Sequence, residues 1–167
     1  MLGLSFSAAQ AAVKGSASAV VSQTLGAVYD FVARDFFANY QRWAPQVVEL
    51  EPKGPTPVRP GVTARQVTLD RGIRSESTFE VAAVEPPRRL VLEGLSESFR
   101  STYEFHDAPS EGTEITFEFE MRELDLSMRP FAKLIRMALQ EGAEQTIENL
   151  KSLLEDGPPY AEQARAS

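Results

Sequence analysis

Phe99-Arg100-Ser101-Thr102-Tyr103-Glu104-Phe105-His106 and, beyond a turn at Asp107 to Gly112, Glu114-Ile115-Thr116-Phe117-Glu118-Phe119-Glu120-Met121 are the runs that decide the fold. In the first, Phe99, Ser101, Tyr103 and Phe105 alternate with Arg100, Thr102, Glu104 and His106. In the second, Ile115, Phe117, Phe119 and Met121 alternate with Thr116, Glu118, Glu120 and Arg122. A period of two puts one set on a wet face and the other on an aromatic face, as half-buried antiparallel strands require.

Working upstream, the same period and short Gly/Pro turns give further strands at Leu90 to Glu93, Ile73 to Val84, Val62 to Leu69 and Val47 to Glu51, with Asp70-Arg71-Gly72 as a hairpin turn. Residues 14 to 23 read as a first, weak strand. Thr24 is placed to cap a helix over Leu25 to Arg34, where Leu25, Val28, Tyr29 and Val32 recur at helical spacing. A second short helix covers Asp35 to Arg42 and is stopped by Pro45. Downstream, Arg129 to Glu155 is a long helix with Pro130 in its first turn and an apolar series that includes Phe131, Leu134, Ile135, Ala138, Leu139, Gly142 and Ala143. Gly157-Pro158-Pro159 ends it. The expected fold is α+β: a curved antiparallel sheet of about seven strands wrapped on the C-terminal helix, with two short helices after strand 1. The chain divides into an N-terminal extension (1–13), one domain (14–156) and a C-terminal tail (157–167).

Composition narrows the chemistry. The 167 residues suffice for one domain with a real core. There is no cysteine, so disulfides, thiolate metal sites and Cys nucleophiles are excluded. The single histidine, His106, falls in the wet phase beside a turn and reads as a surface residue, and no metal or cofactor is expected. A net charge of −7 opposes phosphate backbones and anionic lipid as partners, so no nucleic acid is expected. No apolar run approaches the roughly 20 residues a membrane helix needs, so integral membrane association is not expected. The start of the chain lacks a basic region ahead of an unbroken apolar stretch, so no cleaved leader is expected and the expected location is cytoplasmic.

Several local sequences resemble the helix-grip fold of the START/SRPBCC superfamily, whose members are often polyketide cyclase/dehydrase-like. They are Val28-Tyr29-Asp30-Phe31-Val32, Tyr40-Gln41-Arg42-Trp43-Ala44-Pro45, Glu85-Pro86-Pro87-Arg88-Arg89-Leu90, Gly112-Thr113-Glu114-Ile115-Thr116 and Asn149-Leu150-Lys151. The resemblance covers roughly residues 16 to 155 and rests on hallmarks of architecture, none of them catalytic. It implies an apolar cavity between sheet and long helix. Members of the superfamily include lipid and hormone carriers, polyketide aromatase/cyclases, quinone-binding proteins and chaperone co-factors.

The inward residues define the candidate site. Phe99, Tyr103, Phe105, Phe117 and Phe119 are expected to point at Leu134, Ile135 and Ala138. Composition alone leaves a packed core and a cavity equally open, and the resemblance implies the cavity. Tyr103 is a buried phenol in need of a partner. Ser77 and Ser101 share phase with Phe79 and Tyr103, so each hydroxyl serves either a ligand or the backbone. Arg65 is in phase with Val67 and Leu69. It either points inward, where its guanidinium demands an anion, or lies outside paired with a neighbouring Glu; Val62 and Ala64 argue for the outside. The resemblance places Trp43 at the cavity entrance, whereas Phe36 and Phe37 read as plugs between the short helices and the sheet. The candidate ligand-binding set is therefore Trp43, Arg65, Val67, Ser77, Phe79, Ser101, Tyr103, Phe117, Phe119, Leu134 and Ala138. No catalytic residue and no two-carboxylate pair is assigned.

Three functions are expected to compete. The first is binding of a small hydrophobic molecule (lipid, quinone or polyketide-like) in the cavity. The second is a polyketide aromatase/cyclase in which Arg65 or Tyr103 stabilises an enolate. The cyclases it resembles place an Arg with a hydroxyl residue on an inner strand, whereas Ile73 to Val84 carries Ser75, Ser77 and Thr78 with Arg74 only at its edge. The third is a protein-interaction module with a filled core. Oligomeric state is not readable from these residues.

Overall fold

Every strand expected from the alternating pattern pairs antiparallel with its neighbour. The computed structural model describes residues 12–54 and 58–156. Most of the N-terminal extension, the C-terminal tail and the Gly157-Pro158-Pro159 stop lie outside the described residues. The strands are β1 (Val13–Val21), β2 (Val47–Lys53), β3 (Thr63–Asp70), β4 (Ile73–Glu85), β5 (Arg89–Gly94), β6 (Phe99–Ala108) and β7 (Gly112–Met121). They form one sheet in the order β1-β7-β6-β5-β4-β3-β2. The β3–β4 turn holds Arg71 at φ 51° and Gly72 at φ 81°, the two left-handed residues that a two-residue hairpin loop demands.

Between β1 and β2 lie α1 (Leu25–Tyr29), a π turn (Asp30–Arg34) and α2 (Phe36–Trp43). The Thr24 hydroxyl caps α1 by accepting from the Ala27 N–H at 3.3 Å. Buried Asn39 donates to the Phe31 carbonyl at 3.0 Å, satisfying a polar group inside the core. A 3₁₀ turn at Arg129–Phe131 leads into the long helix α3 (Ala132–Glu155).

How α3 sits is decided by β1. The helix runs along this edge strand in the same direction: Gly15 meets Leu139 at one end, and the Ser22 N–H donates to Glu155 at 3.2 Å at the other. Gly15 lies against the helix backbone, where a Cβ would overlap Leu139 and Gln140 main-chain atoms. Beside it, the Gln140 amide accepts from the Ser16 N–H at 3.1 Å and donates to the Ser16 carbonyl at 2.8 Å. Those two bonds occupy backbone groups on the edge strand that would otherwise be open to pairing with another chain. Ala143, Ile147, Leu150 and Leu154 are the buried face of α3. Each of the three large side chains among them contributes about 1.5–3 kcal/mol by burial.

Candidate functional site

Opposed residues in an antiparallel pair point to the same side of the sheet. Gly15 faces α3, so its row identifies the concave face: Gly15, Phe119, Ser101, Leu92 and Val81. The next row is Ala17, Phe117, Tyr103 and Leu90. On β4 and β3, Phe79 pairs with Ala64 and Ser77 with Gln66 on the same side. Ser77, Phe79, Ser101, Tyr103, Phe117 and Phe119 thus share one surface.

Under α2 that surface is filled. The rings of Phe36 and Tyr40 stack at 4.5 Å, Tyr103 lies 4.8 Å from Phe117, and Trp43 meets Tyr103 edge-on at 6.1 Å. Trp43 is 1% exposed and belongs to this core, so the expectation that it marks an entrance is corrected. Its apolar body is wedged among Phe31, Phe36 and Tyr103. Phe36, fully buried, is a plug as expected.

Two hydrogen-bonded chains thread the apolar cluster. The Trp43 indole N–H donates to the Tyr103 hydroxyl at 3.3 Å. The Tyr40 hydroxyl donates to Gln66 Oε1 at 3.2 Å, and Gln66 Nε2 donates to Ser77 Oγ at 3.2 Å. Burial pushes the Tyr40 phenol up to about 12. Tyr103 is pushed up further, by burial first and by the neighbouring Tyr40 second, against a small opposing effect of the Trp43 donor. Tyr103 is therefore a neutral phenol at any physiological pH. It accepts one hydrogen bond, and among the described residues its own proton has no acceptor. Ser101 lies two residues away on the same face, 8% exposed, with no side-chain hydrogen bond among the described residues. Gln66 lies outside the expected set, since a polar residue in a strand of uncertain phase gives no signal of its own; Tyr40, on α2, lies outside it too. Tyr29 also escaped it: its buried hydroxyl has no hydrogen-bond partner among the described residues.

The open part of the concave face lies under the first half of α3. Asn149 donates to the Trp43 carbonyl at 3.0 Å, so its flank of the helix looks across the sheet toward α2. At about 100° per residue, Gly142, Ala138 and Ile135 share that flank. Ala138 is exposed, and a Cβ on Gly142 would meet nothing within 4 Å. Across from them, the inward residues of β4 run from Ile73 (69% exposed) through Ser75 and Ser77 to Phe79 (1%). Exposure on the concave face thus falls from the β3–β4 hairpin and the start of α3 toward Phe79, Tyr103 and Phe117, which are buried. A cleft of about 620 Å³ adjoins this end, bounded by the β5–β6 turn and the connection from β7 to α3. A wider depression of about 1170 Å³ lies at the opposite end, between Ser22–Ala27, Asp107–Gly112 and Leu154–Asp156. None of the expected ligand-binding residues lines either cleft.

Three expected residues lie elsewhere. Arg65 pairs with Thr78 and Glu51, on the convex face. There it reaches Glu76 at 2.8 Å, Glu49 at 3.1 Å and Glu51 at 3.5 Å. Hydrogen bonds that its guanidinium donates to Glu76 and then to Glu49 hold it protonated, and the Glu76 carboxyl is in turn held below its ordinary range. Val67, opposite Glu49 and Glu76, shares that outward row, although it is buried. Leu134 is 63% exposed. It lies about 140° around the helix from Leu139, too far to share the face that β1 covers. His106 is exposed beside Glu104, as its phase indicated.

Comparison with known proteins agrees with this architecture. No curated protein matches the chain significantly. The chain is similar in structure to the di-domain ARO/CYC BexL of the BE-7585A biosynthetic pathway, with a TM-score of 0.72 and 19% identity over 89% of this chain and 52% of that one. It is also similar to the di-domain ARO/CYC StfQ of the steffimycin pathway, with a TM-score of 0.70 and 12% identity over 95% of this chain and 53% of that one. The chain thus spans about half the length of these two-domain proteins. A protein of unknown function from Staphylococcus aureus, SA2116, gives a TM-score of 0.65 and 16% identity, over 93% of this chain and 97% of that one. At these identities the structural likeness shows the fold alone. Residues 12–155 match the model of one family, so the helix-grip chain described here belongs to the polyketide cyclase / dehydrase and lipid transport family.

Proposed function

We propose that this protein binds a small, largely apolar molecule bearing a carbonyl or hydroxyl group in a groove on the concave face, between the β3–β4 hairpin and the first half of α3. The observation that carries the reading is the Tyr103 hydroxyl. It is a buried donor on the concave face with its proton uncommitted among the described residues, fixed in place by the Trp43 indole. A buried donor left unpaired costs about 1–3 kcal/mol, so an acceptor on the ligand recovers that penalty. Ser101 and Ser77 are the further polar contacts, and Phe79, Phe117 and Phe119 supply the apolar walls. Burial of ligand area at about 25 cal/mol per Å² drives binding.

A cyclase acting in the same groove is the second reading, favoured by the family and by one feature of the site. A neutral, desolvated phenol is a donor suited to an enolate oxygen. The convex placement of Arg65 removes the cation that this reading had available.

The test is a thermal-shift and native mass-spectrometry screen with fatty acids, quinones and aromatic polyketides. A binder raises the melting temperature in proportion to RT ln(1 + [L]/Kd). Tyr103→Phe is expected to weaken a carbonyl-bearing binder about fivefold, the equivalent of one hydrogen bond of about 1 kcal/mol. The only tryptophan, Trp43, touches Tyr103 and reports occupancy by its fluorescence. No shift with any class of probe would refute the reading; equal affinity in the Phe variant would remove Tyr103 from the site.

A further inference from the structure

The cleft of about 620 Å³ between the β5–β6 turn and the connection from β7 to α3 is bordered by apolar side chains that no described element covers. Leu95 is 53% exposed, Leu126 76% and Met128 42%. Leu95 and Met128 line the cleft, and Leu126 lies in the chain between the lining residues Asp125 and Met128. Single exposed apolar residues are ordinary, but several grouped around one concavity mark a surface with an occupant.

The start of β1 shows what is within reach. Val13 opens the strand opposite Met121, which lines the cleft, and facing residues of such a pair lie about 4.5–5.5 Å apart. Because β1 and β7 are antiparallel, the chain before Val13 heads the same way as the chain after Met121. That chain, through Glu123, Leu124, Asp125 and Met128, is one wall of the cleft. Residues 1–11 precede the described part of the chain and span at most about 36–40 Å, at about 3.3–3.6 Å per residue.

The sequence of these residues suits the site. Residues 1–11 hold no charged side chain, in a chain that is 25% charged. Leu2, Leu4 and Phe6 alternate with Gly3, Ser5 and Ser7, a period of two that groups large apolar side chains when a backbone is extended. The carboxylates of Glu97, Glu123 and Asp125 stand at the cleft, which opposes an anionic occupant and leaves an uncharged one unaffected. Tethering favours this segment over a partner from solution. A short tether sets an effective concentration of about millimolar, so contacts too weak to recruit a second chain suffice.

We propose that residues 1–11 of this chain dock in the cleft, with Leu2, Leu4 and Phe6 packed on Leu95, Leu126 and Met128. The segment is an intramolecular cover for the apolar wall formed by the β5–β6 turn and the β7–α3 connection. It does not depend on the ligand reading above.

The test is disulfide trapping in the full chain at micromolar concentration. The chain has no cysteine, so an engineered pair gives an unambiguous product. Phe6→Cys with Leu126→Cys is expected to close an intramolecular disulfide at least about tenfold faster than Phe6→Cys with Glu120→Cys. Glu120 is the control because it faces Lys14, equally near the start of β1 but on the convex face. In the chain without cysteine, Leu4→Ser with Phe6→Ser is expected to raise the fluorescence of an added hydrophobic dye severalfold. Adding Leu126→Ser and Met128→Ser is expected to cancel that rise, which locates the uncovered surface. Unchanged circular dichroism verifies that these substitutions leave the fold intact. Equal trapping rates for the two pairs, or an unmoved dye signal, would overturn the proposal. So would a Phe6→Cys and Leu126→Cys disulfide formed only between chains, which would put the segment on a second copy.

Discussion

Gly15→Ala should destabilise the protein, although alanine is ordinarily the better strand residue. A Cβ at Gly15 would overlap the Leu139 carbonyl carbon and oxygen and the Gln140 nitrogen. These are helix backbone atoms, which cannot rotate aside as a side chain would. To restore ordinary contact, α3 must lift from β1 by about 1 Å. A gap of that size forfeits roughly a quarter to a half of the dispersion contact of the groups it separates. It falls on Ala143 and Ile147, and it strains both bonds between Gln140 and Ser16. Overpacking of this kind costs about 1–3 kcal/mol, and loss of the two hydrogen bonds adds about 1–2 kcal/mol. The gain in chain entropy from removing a glycine offsets about 0.5–1 kcal/mol. The net expectation is a loss of about 2–3 kcal/mol, or roughly 4–12 °C in Tm. Urea denaturation followed by circular dichroism measures it, with an unchanged m-value showing that the unfolded state is not the cause. Gly142→Ala is the matched control. Its Cβ enters open space on α3, so helix propensity should make it more stable by about 0.5–1 kcal/mol. Opposite signs for the same chemical change are the signature of a helix seated on β1. A Gly15→Ala protein as stable as the parent would refute that seating and the groove built on it.

Other consequences can be checked separately. Gln66→Leu keeps the volume but strips the Tyr40 hydroxyl of its acceptor, and should cost about 1–3 kcal/mol. Adding Tyr40→Phe should recover part of that loss in a double-mutant cycle. Tyr40 and Tyr103 should resist ionisation in an alkaline spectrophotometric titration, Tyr40 ionising near about 12 and Tyr103 later. Because folding raises these phenols above their unfolded value of 10.0, their contribution to stability is fully present below that pH. It is lost as pH rises through the folded values, so stability should fall from about pH 10 upward. Arg65→Gln should leave the affinity of any groove ligand unchanged, while the Glu76 carboxyl, measured by NMR, returns upward toward its ordinary value.

The sequence alone determined the strands, the antiparallel pairing of successive strands and the long terminal helix, because each rests on local rules, whereas the pairing of β1 with β7 came only from the tertiary structure. Alternation through Phe99–His106 and Ile115–Arg122 fixes which residues share a face, and Thr24, Asp70-Arg71-Gly72 and Pro130 punctuate the elements without reference to anything distant. The inward placement of Tyr103, Ser101, Phe117 and Phe119 was legible for the same reason. Arg65 and Val67 were not. A period of two says which residues travel together but not which set faces the core, and β3 has apolar residues in both phases. Only the pairing of Ala64 with Phe79 and Arg65 with Thr78 decided that. The terminal helix was ambiguous in a different way, since its first half carries more apolar positions than one face can hold. Gly15 decided which of them are covered, by letting the helix backbone settle on β1 so that Leu139 turns in and Leu134 and Met137 turn out. Trp43 could be read equally as a rim or a plug until the tertiary structure set it against Tyr103. Burial and orientation depend on neighbours distant in the chain, and no local pattern encodes them.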